Sequence, residues 1–471
     1  LLQTKAIRRL TDQIRESENK ERVLLFLIII GIWLFLRVIS SSLPDNIEKL
    51  ITTPLSILGL FLFSVLILIY TLVTSTLEIF FSRKTKISHS QSQASEKFSL
   101  NKPFFDVLIP CHNEESVIEK TLKNIIQIDY KNYSVYLIDD RSTDKTCELI
   151  EKFIKKNKLE QKISLIKRKT DSKPGKAAAL NECFRHSCQG ELIIVFDADA
   201  RVRPDCLNKS LKYFENKKNI ALQFQKKISN ANFNRLTKYQ DLQHVIDTKL
   251  QVGRDLINGF VELRGNGQII RRSCLEKIGG WDEDTLTDDL EISTRIHALG
   301  WDIRFAPEIE VLEEGVIKTR ALIQQTRRWV EGSLRRYLTH FNLFFVTSLK
   351  QLGLTKRLDV VPFLGEFIVP LWFLLDFVGQ TFSLVFTKER THFLLLFSVI
   401  FVLNLMFWLN SLLGLLRYRQ ELKPIENLGR SFLSVYSCLH WSLIVLLSIR
   451  KILFGRRPSI WRKTPRMSDK Y

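Results

Sequence analysis

Two features that would point to a small stapled or metal-held fold are missing from this sequence. Its seven cysteines, at 111, 147, 183, 188, 206, 274 and 438, include no C-x-x-C pair, and its eight histidines form no cluster with metal-ligand spacing. A zinc site is therefore not expected, and the thiols read as reduced and mostly buried. There is no internal repeat. No small-residue cleavage site follows the first apolar stretch, so that stretch reads as a retained membrane anchor and not as a removed signal peptide. Composition also excludes collagen, coiled coil, wholesale disorder and a disulfide scaffold.

What is present is length and positive charge. The 471 residues suffice for two or three domains, and 70 Lys and Arg against 50 Asp and Glu leave a net charge of +20. The aromatics are not interleaved with the basic residues as in an RNA or DNA module, so no nucleic-acid partner is expected. The excess fits cytoplasmic faces that meet anionic lipid.

Apolar residues crowd both ends of the chain. A basic segment, 1–22, precedes a region at 23–81 with two candidate membrane helices: 23–40, whose Arg37 can snorkel, and 51–77, which has no charge. A Ser-rich linker follows at 82–102. The positive-inside rule then puts the N-terminus and the domain after the linker in the cytoplasm. Beyond the domain come an amphipathic interfacial helix at 341–356, a transmembrane or interfacial region at 357–453 and a basic tail at 454–471. Candidate spans there are 360–386, 393–416 and 431–449, with the acids Glu366 and Asp376 inside the first. Three spans would carry the basic tail outside. The stretch 431–449, broken by Cys438 and His440, is therefore as readily interfacial or re-entrant as spanning.

Between 103 and 340 the pattern is α/β. Strands are expected at Phe105 to Pro110, Ser134 to Asp139, Ile163 to Ile166 and Leu192 to Phe196. Helices are expected near Glu114–Gln127, Asp144–Lys156 and Gly175–Cys188. Such alternation gives a mostly parallel sheet with ligands at the carboxyl ends of the strands. Asp197-Ala198-Asp199 ends one hydrophobic strand, and Asp139-Asp140 ends another, followed by the helix-capping run Ser142-Thr143-Asp144. Paired carboxylates on one face suit Mg²⁺ or Mn²⁺ with a diphosphate, or else simply a solvated loop. Glu114 follows the first strand. Lys176, after Lys173-Pro174-Gly175, opens a helix whose amides favour phosphate.

These residues, with Thr287-Asp288-Asp289 and Gln325-Thr326-Arg327-Arg328-Trp329 in that order, resemble the membrane-integrated family 2 glycosyltransferases, relatives of cellulose and hyaluronan synthases. The resemblance implies a GT-A domain, Rossmann-like and mixed but mostly parallel, lying in the cytoplasm between N- and C-terminal membrane helices. It implies an inverting transfer from a UDP-sugar, with Asp289 as the base. Asp139, Asp140, Glu114, Lys176, Asp197, Gln325 and Arg328 would bind the nucleotide-sugar, with Asp140 at the uracil or ribose. Asp197 and Asp199 would hold Mg²⁺ or Mn²⁺, and Trp329 would floor the acceptor site. Asp289 also has the place of a helix N-cap, and Trp329 that of an interfacial anchor.

The chain departs from the family in having Asp288 where Glu is common, and it shows no cyclic-dinucleotide domain. Glu262-Leu263-Arg264-Gly265-Asn266-Gly267-Gln268, Gly279-Gly280-Trp281 and Glu313-Glu314-Gly315 look most like the cyanobacterial β-monoglucosyldiacylglycerol synthases. That likeness implies a membrane lipid acceptor, diacylglycerol, in a bacterial inner membrane or a thylakoid. The alternative is a processive β-polysaccharide synthase.

Overall fold

The computed structural model describes residues 17–31, 102–346, 352–360 and 391–455, with a few isolated positions besides. The candidate spans at 51–77 and 360–386, most of the linker, Glu366, Asp376 and the basic tail fall outside the described residues.

An eight-stranded sheet in the order β3-β2-β1-β4-β7-β6-β8-β5 forms the centre. Strands β1 to β4 are Phe105–Cys111, Tyr133–Asp139, Ile163–Lys167 and Leu192–Val195. They pair in parallel, matching the expected alternation closely. The other half comprises β5 (Arg201–Val202), β6 (Asn219–Ile228), β7 (Gln268–Arg271) and β8 (Asp302–Glu313). Here β7 runs antiparallel to β4 and β6, β8 parallel to β6, and β5 antiparallel to β8.

Strand alternation divides the core into two layers. Phe105, Val107, Ile109, Leu192 and Ile194 face α1 (Ile118–Ile125) and α2 (Thr146–Asn157), whose Ile118, Leu122, Ile150 and Phe153 meet them. Leu108, Ile193 and Val195 face the Ala-rich α3 (Lys176–His186) in the opposite layer. Burial on both faces explains why β1 and β4 are near-continuous apolar runs.

Three further helices position the rest of the site. Helix α4 (Arg235–Leu256) is started by Asn234, whose side chain accepts the Thr237 N–H while Thr237 reaches back to the Asn234 N–H. Helices α5 (Asp288–Ala298) and α6 (Thr319–Thr339) follow β7 and β8. The C-terminal part forms α7 (Thr391–Tyr418), α8 (Pro424–Ser431) and α9 (Leu433–Phe454). Among the described residues, one stretch, Pro424–Phe454, is long and apolar enough to cross a membrane.

This part and helix 17–31 are fastened to the α/β domain by apolar and ionic contacts. Val330, Leu334 and Leu338 of α6 pack with Leu25 of helix 17–31 and with Ile444, Val445 and Ile452 of α9. Buried Arg335 bonds Glu21 at 2.5 Å and Glu331 at 3.1 Å, and Lys451 reaches the other oxygen of Glu331 at 2.6 Å. Buried Asp241 on α4 takes Arg419 on both carboxylate oxygens, at 2.8 and 2.9 Å.

Candidate active site

The carboxyl edge of the parallel half gathers the first set of groups. Asp139 is the last residue of β2, and its Oδ2 accepts the Ser142 N–H at 3.1 Å. Asp140 accepts Arg168 at 2.6 Å and Arg141 at 3.0 Å on Oδ1, and the Gly175 N–H at 2.8 Å on Oδ2. These bonds tie the end of β2 to the loop that starts α3. Glu114 is buried beside them, its N–H donating to Thr146 Oγ1 at 2.8 Å.

Lys176, the first residue of α3, donates to Asp197 Oδ1 at 2.5 Å. Burial opposes its charge, but Asp197, with Asp288 and Asp289, holds its pKa above the ordinary lysine range. Asp197 is lowered in turn, since Lys176 outweighs burial. Asp199 Oδ2 accepts the Glu314 N–H at 2.8 Å. The pair suits a hard divalent cation: Asp197 is already oriented toward a positive partner, and only two carboxylates come from this turn. No group of three or more His, Cys, Asp or Glu able to hold a metal occurs among the described residues. Mg²⁺ and Mn²⁺ favour such sparse sites, completed by water and substrate phosphate.

The second set comes from the mixed half. Asp289 stands in the first turn of α5, not at its N-cap, which is Thr287; its Oδ1 accepts the Leu290 N–H at 2.9 Å. The capping expectation for Asp289 is thereby corrected: helix α5 begins one residue ahead of it. Burial, then the neighbouring Asp288, push the Asp289 pKa up to about 6, against the pull of Lys176 and Arg264. Asp288, which stands where the family commonly has the longer Glu, has its Oδ2 buried without a hydrogen-bond partner among the described residues.

Helical spacing puts Gln325, Arg328 and Trp329 on one face of α6. Burial depresses Arg328, partly offset by Asp288, Asp289 and Asp197, so its guanidinium senses all three carboxylates. Gly332, one turn on, lets α6 approach the Thr287 loop. A Cβ there would come within 2.5 Å of Thr287 Cγ2. Gly265 makes a similar approach from the Glu262–Gln268 loop. It has φ +78°, and a Cβ would sit 3.2 Å from Asp289 Oδ2.

Several further polar and charged groups here lie outside the residues expected individually from the sequence. Lys226, His244, Arg264, Asn266 and Glu313 line the same region. Glu313 bonds Lys226 at 2.9 Å and His244 at 3.0 Å, and Arg264 pairs with Asp247 at 2.7 Å. Asn266 and Glu313 belonged to segments that carried the subgroup likeness. Lys226 and His244 had no local signal beyond the double lysine at 226–227.

Known proteins resemble this chain in sequence and in fold. The profile described as "Glycosyltransferase like family 2" matches residues 103–332. A β-monoglucosyldiacylglycerol synthase of Nostoc sp. is 35% identical over 77% of this chain and 76% of its own length. The chain belongs to glycosyltransferase family 2. A synthase of the same name from Synechocystis sp. is 34% identical to this family 2 chain over 56% of it and 54% of the relative. A poly-β-1,6-N-acetyl-D-glucosamine synthase of Staphylococcus epidermidis is 25% identical over 74% and 83%. Among solved structures, a mannosyltransferase from Pyrobaculum calidifontis in complex with GDP-Man and Mn²⁺ superposes with a TM-score of 0.53, covering 81% of this chain and 99% of that one at 18% identity. The fold is thus the GT-A type expected of the family.

Proposed function

We propose that this family 2 glycosyltransferase moves glucose from UDP-glucose to diacylglycerol with inversion, giving β-monoglucosyldiacylglycerol. The observation that carries the reading is the 35% identity to the Nostoc synthase, extending over three-quarters of both chains.

The geometry supports a division of labour. Asp139, Asp140 and Glu114, at the ends of β1 and β2, receive the uridine. Lys176 and Arg328 bring positive charge to the diphosphate, and Gln325 shares the face of α6 that meets it. Asp197 and Asp199 would hold Mg²⁺ or Mn²⁺, which offsets charge on the departing UDP. Asp289 accepts the proton of the acceptor hydroxyl as that oxygen bonds to the anomeric carbon. The anomeric C–O bond to UDP breaks on the opposite face, and UDP leaves with the electron pair. Trp329 floors the acceptor side. An acceptor dissolved in the bilayer needs only lateral access. The apolar helices that pack on α6 and the basic segment before the first candidate span support a membrane-embedded enzyme with a cytoplasmic active site.

Membranes carrying the full chain, given labelled UDP-glucose, should yield one chloroform-soluble glucolipid whose amount rises with added diacylglycerol. Label confined to aqueous or insoluble material that a β-glucanase or hyaluronidase degrades would replace this reading with a polysaccharide synthase.

A further inference from the structure

Lys226 has no task in the reaction above, yet it lies in the pocket where transfer takes place. The pairing of β6 with β8 is irregular between Phe224 and Gln225, which re-aims the strand just before this residue. Alternation then sends Lys226 and Lys227 to opposite faces. Lys227 turns away to Glu310 at 3.4 Å and Glu421 at 2.7 Å. Lys226 turns in, with Nζ 2.9 Å from Glu313 Oε2 and 6.0 Å from the centre of the Trp329 ring.

Glu313 is itself held from two sides. His244 Nε2 lies 3.0 Å from its Oε1, and Asn266 Nδ2 donates to its Oε2 at 3.4 Å. Asn266 Oδ1 also accepts the Asp197 N–H at 3.1 Å. The Lys226–Glu313 pair is therefore fixed to the Asp-x-Asp turn at one end and faces the Trp329 ring at the other. Its charges are both retained. Burial opposes them, but Glu313, then Asp197 and Asp289, hold Lys226 above the ordinary lysine range, and Lys226 and His244 hold Glu313 far below the carboxylate range.

An ammonium beside a carboxylate is a joint donor and acceptor. The ammonium has three N–H groups and uses one on Glu313, while a carboxylate accepts about four hydrogen bonds and here has three donors. Two neighbouring hydroxyls of a sugar ring match that remaining capacity, one oxygen accepting and one O–H donating. We propose that Lys226 and Glu313 together read hydroxyls of the sugar being transferred and so set which nucleotide-sugar the enzyme uses. The inference rests on the nucleotide-sugar reading above and names the part of the site that selects the sugar. A site built to hydrogen-bond a hydroxyl rejects analogues lacking it far more strongly than an apolar pocket can.

The test uses the full chain purified in lipid nanodiscs with Mg²⁺. Binding of UDP and UDP-glucose, and transfer from UDP-glucose and its 3-deoxy, 4-deoxy and 6-deoxy analogues, are compared for wild type, Lys226→Met, Lys226→Arg and Glu313→Gln. Lys226→Met should lose at least about tenfold in kcat/KM for UDP-glucose while UDP binds within about twofold of wild type, with partial recovery in Lys226→Arg. The loss should largely vanish for the one deoxy analogue that lacks the hydroxyl being read. Equal weakening of UDP and UDP-glucose, or the same loss with every deoxy sugar, would overturn the proposal. Should Lys226→Met melt early, Lys226→Gln and Lys226→Arg decide by the same ratios. A wild type that transfers a different sugar, or makes no glucolipid, sinks the functional reading alone. The variants are then compared on the sugar it does transfer and the deoxy forms of that sugar.

Discussion

Strands β1 to β4 run parallel and deliver Asp139, Asp140, Asp197 and Asp199 from their carboxyl ends, whereas β6, β7 and β8 run in mixed directions and bring charge from strand interiors, loops and helices. In the first half Asp139 is held by its own turn, through the Ser142 N–H three residues on. Asp140 and Asp197 meet the Gly175 N–H and Lys176 of the neighbouring helix start, while Asp199 reaches across to the Glu314 N–H. In the second, position depends on partners far away in the chain. Lys226 is set by Glu313, and Thr287 by the approach of Gly332. The parallel half gathers its carboxylates at the ends of neighbouring strands. The mixed half is held together mainly by long-range pairs such as Lys226 with Glu313.

If that division holds, the two halves should fail differently. The largest effect is expected for Asp289→Asn, which should lower turnover about 10²–10⁴-fold while UDP binding stays within about twofold. Near-normal turnover in the folded variant would remove Asp289 from the base role. Its counterpart in the parallel half, Asp199→Asn, should reduce the Mg²⁺ dependence of UDP affinity. An unchanged metal dependence would exclude that residue as a ligand.

A smaller loss should follow Gly332→Ala, whose methyl meets Thr287. Overpacking of this kind costs about 1–3 kcal/mol. Thermal melting together with transfer assays should show activity falling further than UDP affinity, and equal falls would mean that α6 does not position the Asp289 loop.

The smallest effect is a shift in pH dependence. With Asp289 raised to about 6 by burial and Asp288, kcat/KM should fall roughly tenfold per pH unit below that point. Asp288→Asn removes a like charge and should move the falling limb to lower pH. The sign separates this from unfolding. A carboxyl whose folded pKa lies above its unfolded value adds stability as pH drops from about 6 toward the ordinary carboxylate range, so activity should decline there without a fall in melting temperature due to this group. A limb that Asp288→Asn leaves in place would assign the titration elsewhere.

The same contrast explains what the sequence made legible. Strands β1 and β4 are readable as apolar runs because burial on both faces leaves no polar alternation. Strand β2, edge strand β3 and their helices follow from the strand–helix alternation around them. Asp197, Asp199 and Lys176 stand out in the sequence because the two acids follow an apolar strand and the lysine opens a helix, which the structure places as β4 and α3. Lys226 and His244 do not, since a lysine in a strand or a histidine in a long helix signals nothing until Glu313 is brought between them. The irregular register of β6 on β8, which turns Lys226 inward, leaves no mark in the sequence.

One contact bears on how the protein is made. Glu331, one turn from the Gln-x-x-Arg-Trp run on α6, is buried and shared by Arg335 and Lys451, and Lys451 lies 120 residues later in the chain. During synthesis, α6 therefore emerges long before one of the cations that neutralise it. Replacing Lys451 in the full chain, with α9 still packed on α6, would leave the buried Glu331 to Arg335 alone, and removing one member of a buried ion pair costs about 3–5 kcal/mol. The helix that carries Arg328 and Trp329 is thus completed only once the apolar C-terminal helix has been made and docked.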